Sequence, residues 1–154
     1  MTRPLLADCR LTSRRHCYDI NVFGPLLTTQ LALKHLGEGS SIINIGSMGT
    51  EFAPSGSAIY TGTKGAIDSF TSVLVNELGP KKIRFSSLKP GMIATDNVLA
   101  AGIPDSAFGK ATIAKTPLGR SGTTQDVSDV AVFLASDDAR WITGAHIPVA
   151  GGFK

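Results

Sequence analysis

The sequence predicts an α/β fold, a parallel β-sheet with flanking helices, and two observations lead to this prediction. Short runs rich in β-branched residues alternate along the chain with longer segments whose apolar residues recur at helical spacing. Strands and helices that alternate in this order form parallel sheets joined by crossover helices. The chain has 154 residues, of which 42% are hydrophobic, so we interpret residues 1–154 as one domain with a sizeable core.

The first predicted helix runs from Ser13, a good N-cap residue, to Leu36, with Gly37 ending it. Its apolar positions include Ile20, Phe23, Leu27, Leu31 and Leu36. Pro25 interrupts this helix because it has no N–H group, so the carbonyl of Asn21, four residues back, loses its helical partner. A freed carbonyl in a kinked helix is either a structural accident or a place to hold a water molecule.

The first predicted strand is the apolar run Ile42–Ile45, which is bounded by glycine and serine residues on both sides. Ser47 therefore lies just past the carboxyl end of a strand. Open α/β sheets bind their ligands at this edge. A lone serine after a strand is a weak signal, so its meaning depends on the residues that follow it.

The second predicted helix, Ser57 to Leu78, carries Tyr60 and Lys64 four residues apart, which places both side chains on one face. A phenol has a pKa of about 10, and a neighbouring ammonium ion favours its ionised form. Such a pair can act as a general acid or base near neutral pH, while the Ser47 hydroxyl could stabilise charge on the same substrate oxygen. Taken alone, the spacing also fits a chance pair on a solvated helix face.

The rest of the chain predicts two further strands, a short helix within a long mixed segment and a last helix. The run Ile83–Leu88 is a strand that ends at a Lys-Pro-Gly sequence, and Met92–Leu118 is a long mixed segment that includes a short helix. That segment is either a lid over a binding site or a plain surface excursion. The last helix begins near Thr124, and the final strand, Ala145–Val149, contains Pro148 and is therefore predicted at an edge of the sheet.

Composition argues against several classes of protein. A net charge of +3 does not require a nucleic-acid partner, and no apolar run is long enough to span a membrane. Residues 1–10 contain no apolar segment of the kind found in signal peptides. Cys9 and Cys17 are too few for a disulfide framework, and the three scattered histidines have no metal-ligand spacing, so we expect a cytoplasmic protein without a metal site.

Together, the motifs resemble the C-terminal part of a short-chain dehydrogenase/reductase, over about Tyr18 to Gly152. The matching sequences are NVFG from Asn21, INIGS ending at Ser47, YTGTK from Tyr60 to Lys64, PGMIATD from Pro90 to Asp96 and SDDARWITGAHIPVAGG over 136–152. These motifs agree with the family in their residues and also in their order and spacing along the chain. The resemblance implies a Rossmann-like, doubly wound parallel sheet that lacks the first strands of the family.

The resemblance also implies roles for individual residues. Tyr60 would exchange a proton with the substrate oxygen, and Ser47 would donate a hydrogen bond to that oxygen. Lys64 would favour the phenolate and hold the nicotinamide ribose, while the main-chain carbonyl of Asn21 would hold a water molecule in a proton relay. The segment along the nicotinamide would include Pro90, Gly91, Ile93 and Thr95. The implied reaction moves a hydride between NAD or NADP and a small-molecule carbonyl or alcohol.

The chain departs from the family pattern in several places. No G-x-G-x-x-G turn for the coenzyme pyrophosphate occurs in the sequence, and the residues that select NAD or NADP lie in the same absent region. Smaller departures are Gly62 in place of alanine, Lys89 before Pro-Gly, and Ala150 in place of aspartate. The segment Asn97–Thr116 would line the substrate pocket, and it carries no cluster of charges.

These departures leave two hypotheses open. One is an oxidoreductase of this family, and the other is a non-catalytic remnant that keeps the oligomerisation helices but binds no coenzyme. Either predicts a homodimer or homotetramer, because the helices Ser13–Leu36 and Ser57–Leu78 match those that the family pairs across a two-fold axis. A hydrolase that uses Ser47 is disfavoured, because Ile45 stands where a nucleophile elbow has glycine.

Overall fold

The computed structural model describes residues 11–154, in which three parallel strands form one sheet in the order β1-β2-β3. The strands are β1 (Ser41–Ile45), β2 (Arg84–Pro90) and β3 (His146–Val149). The sequence predicts all three, with ends that differ by one or two residues, and the predicted parallel α/β sheet is confirmed. Two predictions lie outside the described residues because they concern residues 1–10. They are that Cys9 belongs to no disulfide framework and that this segment is not a signal peptide.

Within residues 11–154, α-helices precede the first strand and connect the strands. They are α1 (Leu11–Tyr18), α2 (Gly24–Ala32), α3 (Gly49–Phe52), α4 (Ala58–Leu78), α5 (Asp96–Ala100), α6 (Ala107–Lys115) and α7 (Thr124–Ala135). The long helix α4 has the predicted bounds, with Ser57 at its N-cap position and a 3₁₀ turn over Gly79–Lys81 at its end. Proline cannot continue the α-helical hydrogen-bond pattern, which explains the change at that point.

The predicted first helix, Ser13 to Leu36 with an interruption at Pro25, is present, but both of its predicted ends are wrong. Ser13 lies inside α1 and does not cap it, and the chain then passes through a π-helical turn into α2, which ends at Ala32. After Ala32 the chain tightens into a turn in which the His35 N–H donates to the Ala32 carbonyl. The helical pattern of apolar residues continues beyond the helix, so periodicity alone overestimates its length.

The π-helical turn, Asp19–Phe23, ends two residues before Pro25. In it the Gly24 N–H donates to the Asp19 carbonyl, five residues back. Because Pro25 has no N–H to give to the Asn21 carbonyl, the α-helical pattern fails at this point and the helix widens by one residue. The sequence therefore locates the irregularity correctly, and the structure identifies its form.

Two segments without regular helical periodicity contain helices that the sequence does not predict. α3 is a single turn in the polar loop after Ser47, and Met92–Leu118 contains two short helices, α5 and α6, where one is expected. Thr95 and Ser106 cap α5 and α6, each accepting a hydrogen bond from the backbone N–H three residues on. Such short helices begin at a capping side chain rather than at an apolar stripe, so periodicity does not detect them.

The sheet is covered on both faces, with β2 at its centre. Phe85 of β2 packs against Leu78 of α4, and Leu88 of the same strand packs against Leu134 of α7. Phe85 and Leu88 are fully buried and, being three residues apart in a strand, point to opposite faces of the sheet. Helices on both faces of a parallel sheet are the arrangement that the doubly wound prediction requires.

The two outer strands differ in how they end the sheet. Pro148 lies in β3, which is an edge strand as the sequence predicts. β1 is the other edge, and its last residue, Ile45, is 50% exposed. An exposed β-branched residue on an unpaired strand is a feature that usually favours association with another strand.

The apolar stripe of the first helical segment faces solvent. Ile20, Phe23, Leu27 and Leu31 are each 55–60% exposed. Thr29 and Val22, on the same segment, are buried instead. We call the four exposed side chains the outer stripe.

Candidate active site

Ser47 follows the end of β1 and is held there by the neighbouring strand. The Gly46 N–H donates to the Leu88 carbonyl at 2.7 Å, and the Met48 N–H donates to the Pro90 carbonyl at 3.0 Å. Main-chain hydrogen bonds to β2 therefore flank Ser47 on both sides. Its side-chain oxygen accepts a 3.0 Å hydrogen bond from the Gly49 N–H, a contact that leaves the hydroxyl hydrogen unused.

Tyr60 and Lys64 lie on one face in the first half of α4, as their spacing predicts. The Lys64 ammonium nitrogen is 5.9 Å from the centroid of the Tyr60 ring and donates a 2.8 Å hydrogen bond to the Ile45 carbonyl. Partial burial lowers the pKa of Lys64, and the nearby Cys17 and Asp68 oppose that shift. The lysine thus links the helix that carries the tyrosine to the strand that precedes Ser47.

A groove of about 510 Å³, which we call the sheet-end groove, opens at the carboxyl ends of β1 and β2. Its lining includes Ser47, Tyr60, Lys64, Pro90, Gly91, Ile93 and Thr95. Among the described residues that line it, Lys64 is the one with a charged side chain, and much of the remaining wall is apolar. The structure therefore brings seven of the eight predicted site residues around a single space.

A second cavity, of about 220 Å³, adjoins this groove and shares Ser47 and Tyr60 with it. We call it the apolar pocket. Its walls include Phe52, Phe108 and Phe153, and none of the described residues that line it is charged. The Phe52 and Phe153 rings meet edge to face, with centroids 4.8 Å apart. This geometry is favourable for aromatic pairs and fixes one end of the pocket.

Part of this pocket follows from the sequence and part does not. The segment Asn97–Thr116 supplies Val98, Ile103, Phe108 and Thr112, as the resemblance implies. Phe52 and Phe153 come from other regions, about a hundred residues apart, and the sequence does not predict that they meet. The buried state of Phe153 so near the end of the chain is the kind of feature that only the folded structure reveals.

Asn21 is the predicted site residue that does not line either cavity. It lies in the π-helical turn, and its side-chain amide donates to Thr63 Oγ1 at 3.2 Å and to Cys17 Sγ at 3.4 Å. Thr63 is fully buried next to Lys64, and its hydroxyl donates to the Tyr60 carbonyl at 2.7 Å. Asn21 therefore contacts the helix of Tyr60 and Lys64 from behind.

Gly62, one of the departures from the family pattern, and Gly91 each lie close to a neighbouring residue. A Cβ atom on Gly62 would lie 3.1 Å from the Tyr18 hydroxyl, so the space that an alanine would need is already narrowed by Tyr18. A Cβ atom on Gly91 would lie 2.9 Å from the Ala150 Cβ, so Gly91, just after β2, packs closely against Ala150, just after β3. A larger side chain at either position would have to displace its neighbour.

Two classes of feature are absent from residues 11–154. No helix in this range combines the length and the apolar content needed to cross a bilayer. Nor does this part of the chain bring three or more His, Cys, Asp or Glu side chains together in a group that could hold a metal ion.

Comparison with known proteins establishes the family. The family model described as enoyl-(acyl carrier protein) reductase matches residues 3–154. The chain is also 51% identical over 140 residues to an uncharacterized oxidoreductase of Methylorubrum extorquens, covering 91% of this chain and 56% of that protein. It belongs to the short-chain dehydrogenase/reductase family. The chain is further 39% identical to a rat (3R)-3-hydroxyacyl-CoA dehydrogenase, covering 86% of this chain and 51% of the relative.

Solved structures have the same fold. A short-chain dehydrogenase/reductase from Serratia marcescens superimposes with a TM-score of 0.89 at 28% identity, covering 99% of this chain and 61% of that one. A blue fluorescent protein from a metagenomic library, solved with NADPH, gives a TM-score of 0.90 at 31% identity, with coverage of 99% and 61%. The predicted partial Rossmann-like sheet is thus confirmed. The chain spans about half the length of the curated relatives it matches.

Proposed function

We propose that this chain carries the catalytic part of an NAD(P)-dependent dehydrogenase/reductase that interconverts a small-molecule carbonyl and its alcohol. The observation that supports this proposal is the arrangement of Ser47, Tyr60 and Lys64 around the sheet-end groove, where β1 and β2 end. Ser47 and Tyr60 also line the apolar pocket beside it. A substrate in the pocket would thus have its reacting oxygen next to both hydroxyl groups.

The roles follow from the contacts of each side chain. In reduction, Tyr60 gives its proton to the carbonyl oxygen, and in oxidation it takes the proton from the alcohol. Ser47 donates its hydroxyl hydrogen to the same oxygen, since the Gly49 N–H already occupies one acceptor position of its oxygen. Lys64 keeps two of its three N–H donors after the bond to the Ile45 carbonyl, and these can hold ribose hydroxyl groups.

The residues of the sheet-end groove fit the nicotinamide end of the coenzyme. The groove combines one lysine with apolar walls, and its Pro90–Thr95 side includes Gly91, which packs closely against Ala150. Pro90, Gly91, Ile93 and Thr95 would hold the nicotinamide beside Tyr60. When bound, the nicotinamide supplies or accepts the hydride. Two structural neighbours were solved with NADPH or NADP, so NADP(H) is the first coenzyme to test.

We assign Asn21 a supporting role in proton transfer. Pro25 cannot donate to the Asn21 carbonyl, and the Asn21 side chain bonds to Thr63, the neighbour of Lys64. The carbonyl would hold a water molecule that exchanges protons with Lys64, as in the relay that the family resemblance implies. The side-chain bond to Thr63 would keep the π-helical turn at a fixed position against α4.

The apolar pocket supports an uncharged substrate. None of its described lining residues could pair with a carboxylate or phosphate near the reacting oxygen, and three phenylalanine rings favour an apolar or aromatic group. An aryl ketone should therefore be a better substrate than an α-keto acid of the same size. Burying the carboxylate of the acid in this pocket without a partner would be costly.

The competing function is that of a non-catalytic protein that assembles through its helices and binds no coenzyme. The exposed outer stripe and the unpaired edge of β1 support this alternative, because both are apolar surfaces suited to association. The two proposals differ in whether the protein binds coenzyme and oxidises it.

To separate the two proposals, we propose to join residues 11–154 to the part of the Methylorubrum relative that precedes its matched segment, and to measure NADPH oxidation with an aryl ketone.

Ketone-dependent NADPH oxidation by this chimera, abolished in its Tyr60→Phe form, is the expected result. A folded chimera that binds NADPH but oxidises none of it with neutral ketones would contradict the proposed function. A chimera that assembles normally but binds neither coenzyme would favour the non-catalytic alternative.

A further inference from the structure

Lys89, the residue that departs from the family pattern before Pro-Gly, has its charge inside the protein. Lys89 is only 5% exposed, although lysine is rarely buried unless it is paired. Its ammonium nitrogen lies 2.6 Å from Glu51 Oε1 and 3.2 Å from Asp68 Oδ2. Glu51 belongs to α3 and Asp68 to α4, so one buried ammonium joins the end of β2 to both helices.

The main chain on either side of Lys89 holds the loop of Ser47. Leu88 and Pro90, its two neighbours in the sequence, provide the carbonyl groups that accept the Gly46 and Met48 N–H groups. Ser47 is therefore anchored to β2 on both sides of Lys89 by main-chain bonds. The side chain of Lys89 adds a third anchor, through Glu51, at the far end of the same loop.

A hydroxyl group links this cluster directly to Ser47. Thr50 Oγ1 lies 2.9 Å from the Ser47 carbonyl oxygen and 3.1 Å from Asp68 Oδ2. Asp68 lies four residues after Lys64 and eight after Tyr60, which places it on the same face of α4. The path from Ser47 through Thr50 and Asp68 thus ends on the helix that carries Tyr60.

The charges of the cluster are suited to holding these elements together. Burial disfavours the Lys89 ammonium, but the hydrogen bonds and charges of Glu51 and Asp68 outweigh it and raise the pKa of Lys89. The same contact lowers the pKa of Glu51. His146 of β3 also faces the cluster, with its Nδ1 3.5 Å from Asp68 Oδ1. Removing the Lys89 charge would leave the mostly buried Asp68 carboxylate without its ammonium partner, which is unfavourable.

We propose that Lys89 is a positioning residue that sets Ser47 relative to Tyr60 by holding α3 and α4 to the end of β2 through Glu51 and Asp68. The expected effect of Lys89 on catalysis rests on the proposed function, whereas its effect on the position of the Ser47 loop does not. The opposing interpretation is that Lys89 is an ordinary core ion pair, which stabilises the whole chain without holding the Ser47 loop in particular.

Amide hydrogen exchange on the 154-residue chain separates the two interpretations. Lys89→Met keeps a side chain of similar length and removes the charge. We expect exchange over residues 46–53 to become at least tenfold faster, while α4 keeps its protection. The control is Lys82→Met, which breaks an ion pair of the same 2.6 Å length with Glu38 at the surface. This control should leave exchange over 46–53 unchanged.

Two further variants keep the experiment decisive if Lys89→Met does not fold. Glu51→Gln removes one partner of the cluster at a half-exposed position, where loss of the fold is not expected. Glu51→Gln should also accelerate exchange over 46–53 but not over α4. Lys89→Arg, which keeps the positive charge, should protect residues 46–53 as well as the unmodified chain does. The inference would be overturned if amide exchange accelerated equally over 46–53 and α4, or if Glu51→Gln did not accelerate exchange over 46–53.

The catalytic consequence is measured in the chimera described above. Lys89→Met should lower kcat for the ketone at least tenfold with little change in the KM for NADPH, and Lys89→Arg should recover part of the loss. Equal kcat values for Lys89→Met and the unmodified chimera would also overturn the positioning role. If the unmodified chimera folds and binds NADPH but shows no activity, the proposed function fails by itself, and the exchange experiment still decides the inference.

Discussion

The Lys64 ammonium lies 5.9 Å from the centroid of the Tyr60 ring and at the same time donates a hydrogen bond to the Ile45 carbonyl. The second contact would not follow from the four-residue spacing of the pair. It fixes the ammonium at the end of β1, where Ser47 begins the next loop. The ammonium therefore connects the helix that carries Tyr60 to the strand that precedes Ser47.

Replacing Tyr60 tests the proton donor. Tyr60→Phe keeps the ring and removes the hydroxyl, so in the chimera kcat should fall by about 10²- to 10⁴-fold, as is usual for a positioned acid–base group. Steady-state NADPH oxidation gives kcat directly. Tyr18→Phe is the matched control, because Tyr18 does not line either cavity. Retention of most of the activity in Tyr60→Phe would show that another group transfers the proton.

Replacing Lys64 should weaken coenzyme use as well as lower the rate. Lys64→Met removes the ammonium group whose remaining N–H donors would hold the ribose hydroxyl groups, so in the chimera the KM for NADPH should rise. The value of kcat should fall nearly as far as in Tyr60→Phe. Lys34→Met, at an exposed position, should leave both values unchanged. Unchanged kcat and KM in Lys64→Met would contradict the proposed role.

The 154-residue chain by itself should bind NADPH and NADH weakly. The strongest contacts of a dinucleotide are normally its pyrophosphate on a helix N-terminus and its ribose on a carboxylate, and no G-x-G-x-x-G turn occurs in this sequence. We expect binding to be weaker than in the chimera by roughly a thousandfold, about 4 kcal/mol. Fluorescence titration of both coenzymes measures this difference. Saturation of the isolated chain at low micromolar concentration would disprove the prediction.

The outer stripe should make the chain a homo-oligomer. Four large apolar side chains at 55–60% exposure form one surface that burial against a second copy would remove from water. Light scattering at micromolar concentration should give at least a dimer, and Leu27→Asp should shift it towards the monomer. The control is Val132→Asp on α7, where an exposed apolar side chain lies outside the stripe. A monomeric unmodified chain would contradict this prediction.

The N-terminus of α7 should make stability depend on pH. Thr123 and Asp126 form a capping box, and Arg120 beside it, with the Thr123 groups, lowers the pKa of Asp126 well below its usual range. A carboxyl whose pKa is lower in the folded state contributes stability above the unfolded value of about 3.9, and this contribution is lost as the pH falls below it. Asp126→Asn should therefore lower Tm at pH 7 and much less at pH 2. Asp129→Asn is the control, and an equal Tm loss in both variants at pH 7 would contradict the role of the cap.

Local chemistry explains how much the sequence alone reveals. The strands, α4 and the edge position of β3 depend on β-branched runs, helical spacing and one proline, and each of these acts within a few residues. The grouping of Ser47, Tyr60, Lys64 and Pro90–Thr95 follows almost as directly. The carboxyl ends of parallel strands meet at one edge, so residues just after β1 and β2 must lie near the helix between them.

Other features depend on contacts that no local pattern encodes. The buried ammonium of Lys89 finds Glu51 and Asp68 only after α3 and α4 have packed against β2, and Phe52 meets Phe153 across the length of the chain. The outer stripe is a further example: the helical spacing of its apolar residues predicts that they are buried, but in the folded chain they face solvent. A side chain's surroundings are set by which elements pack together, and that choice minimises the free energy of the whole chain rather than of any one segment.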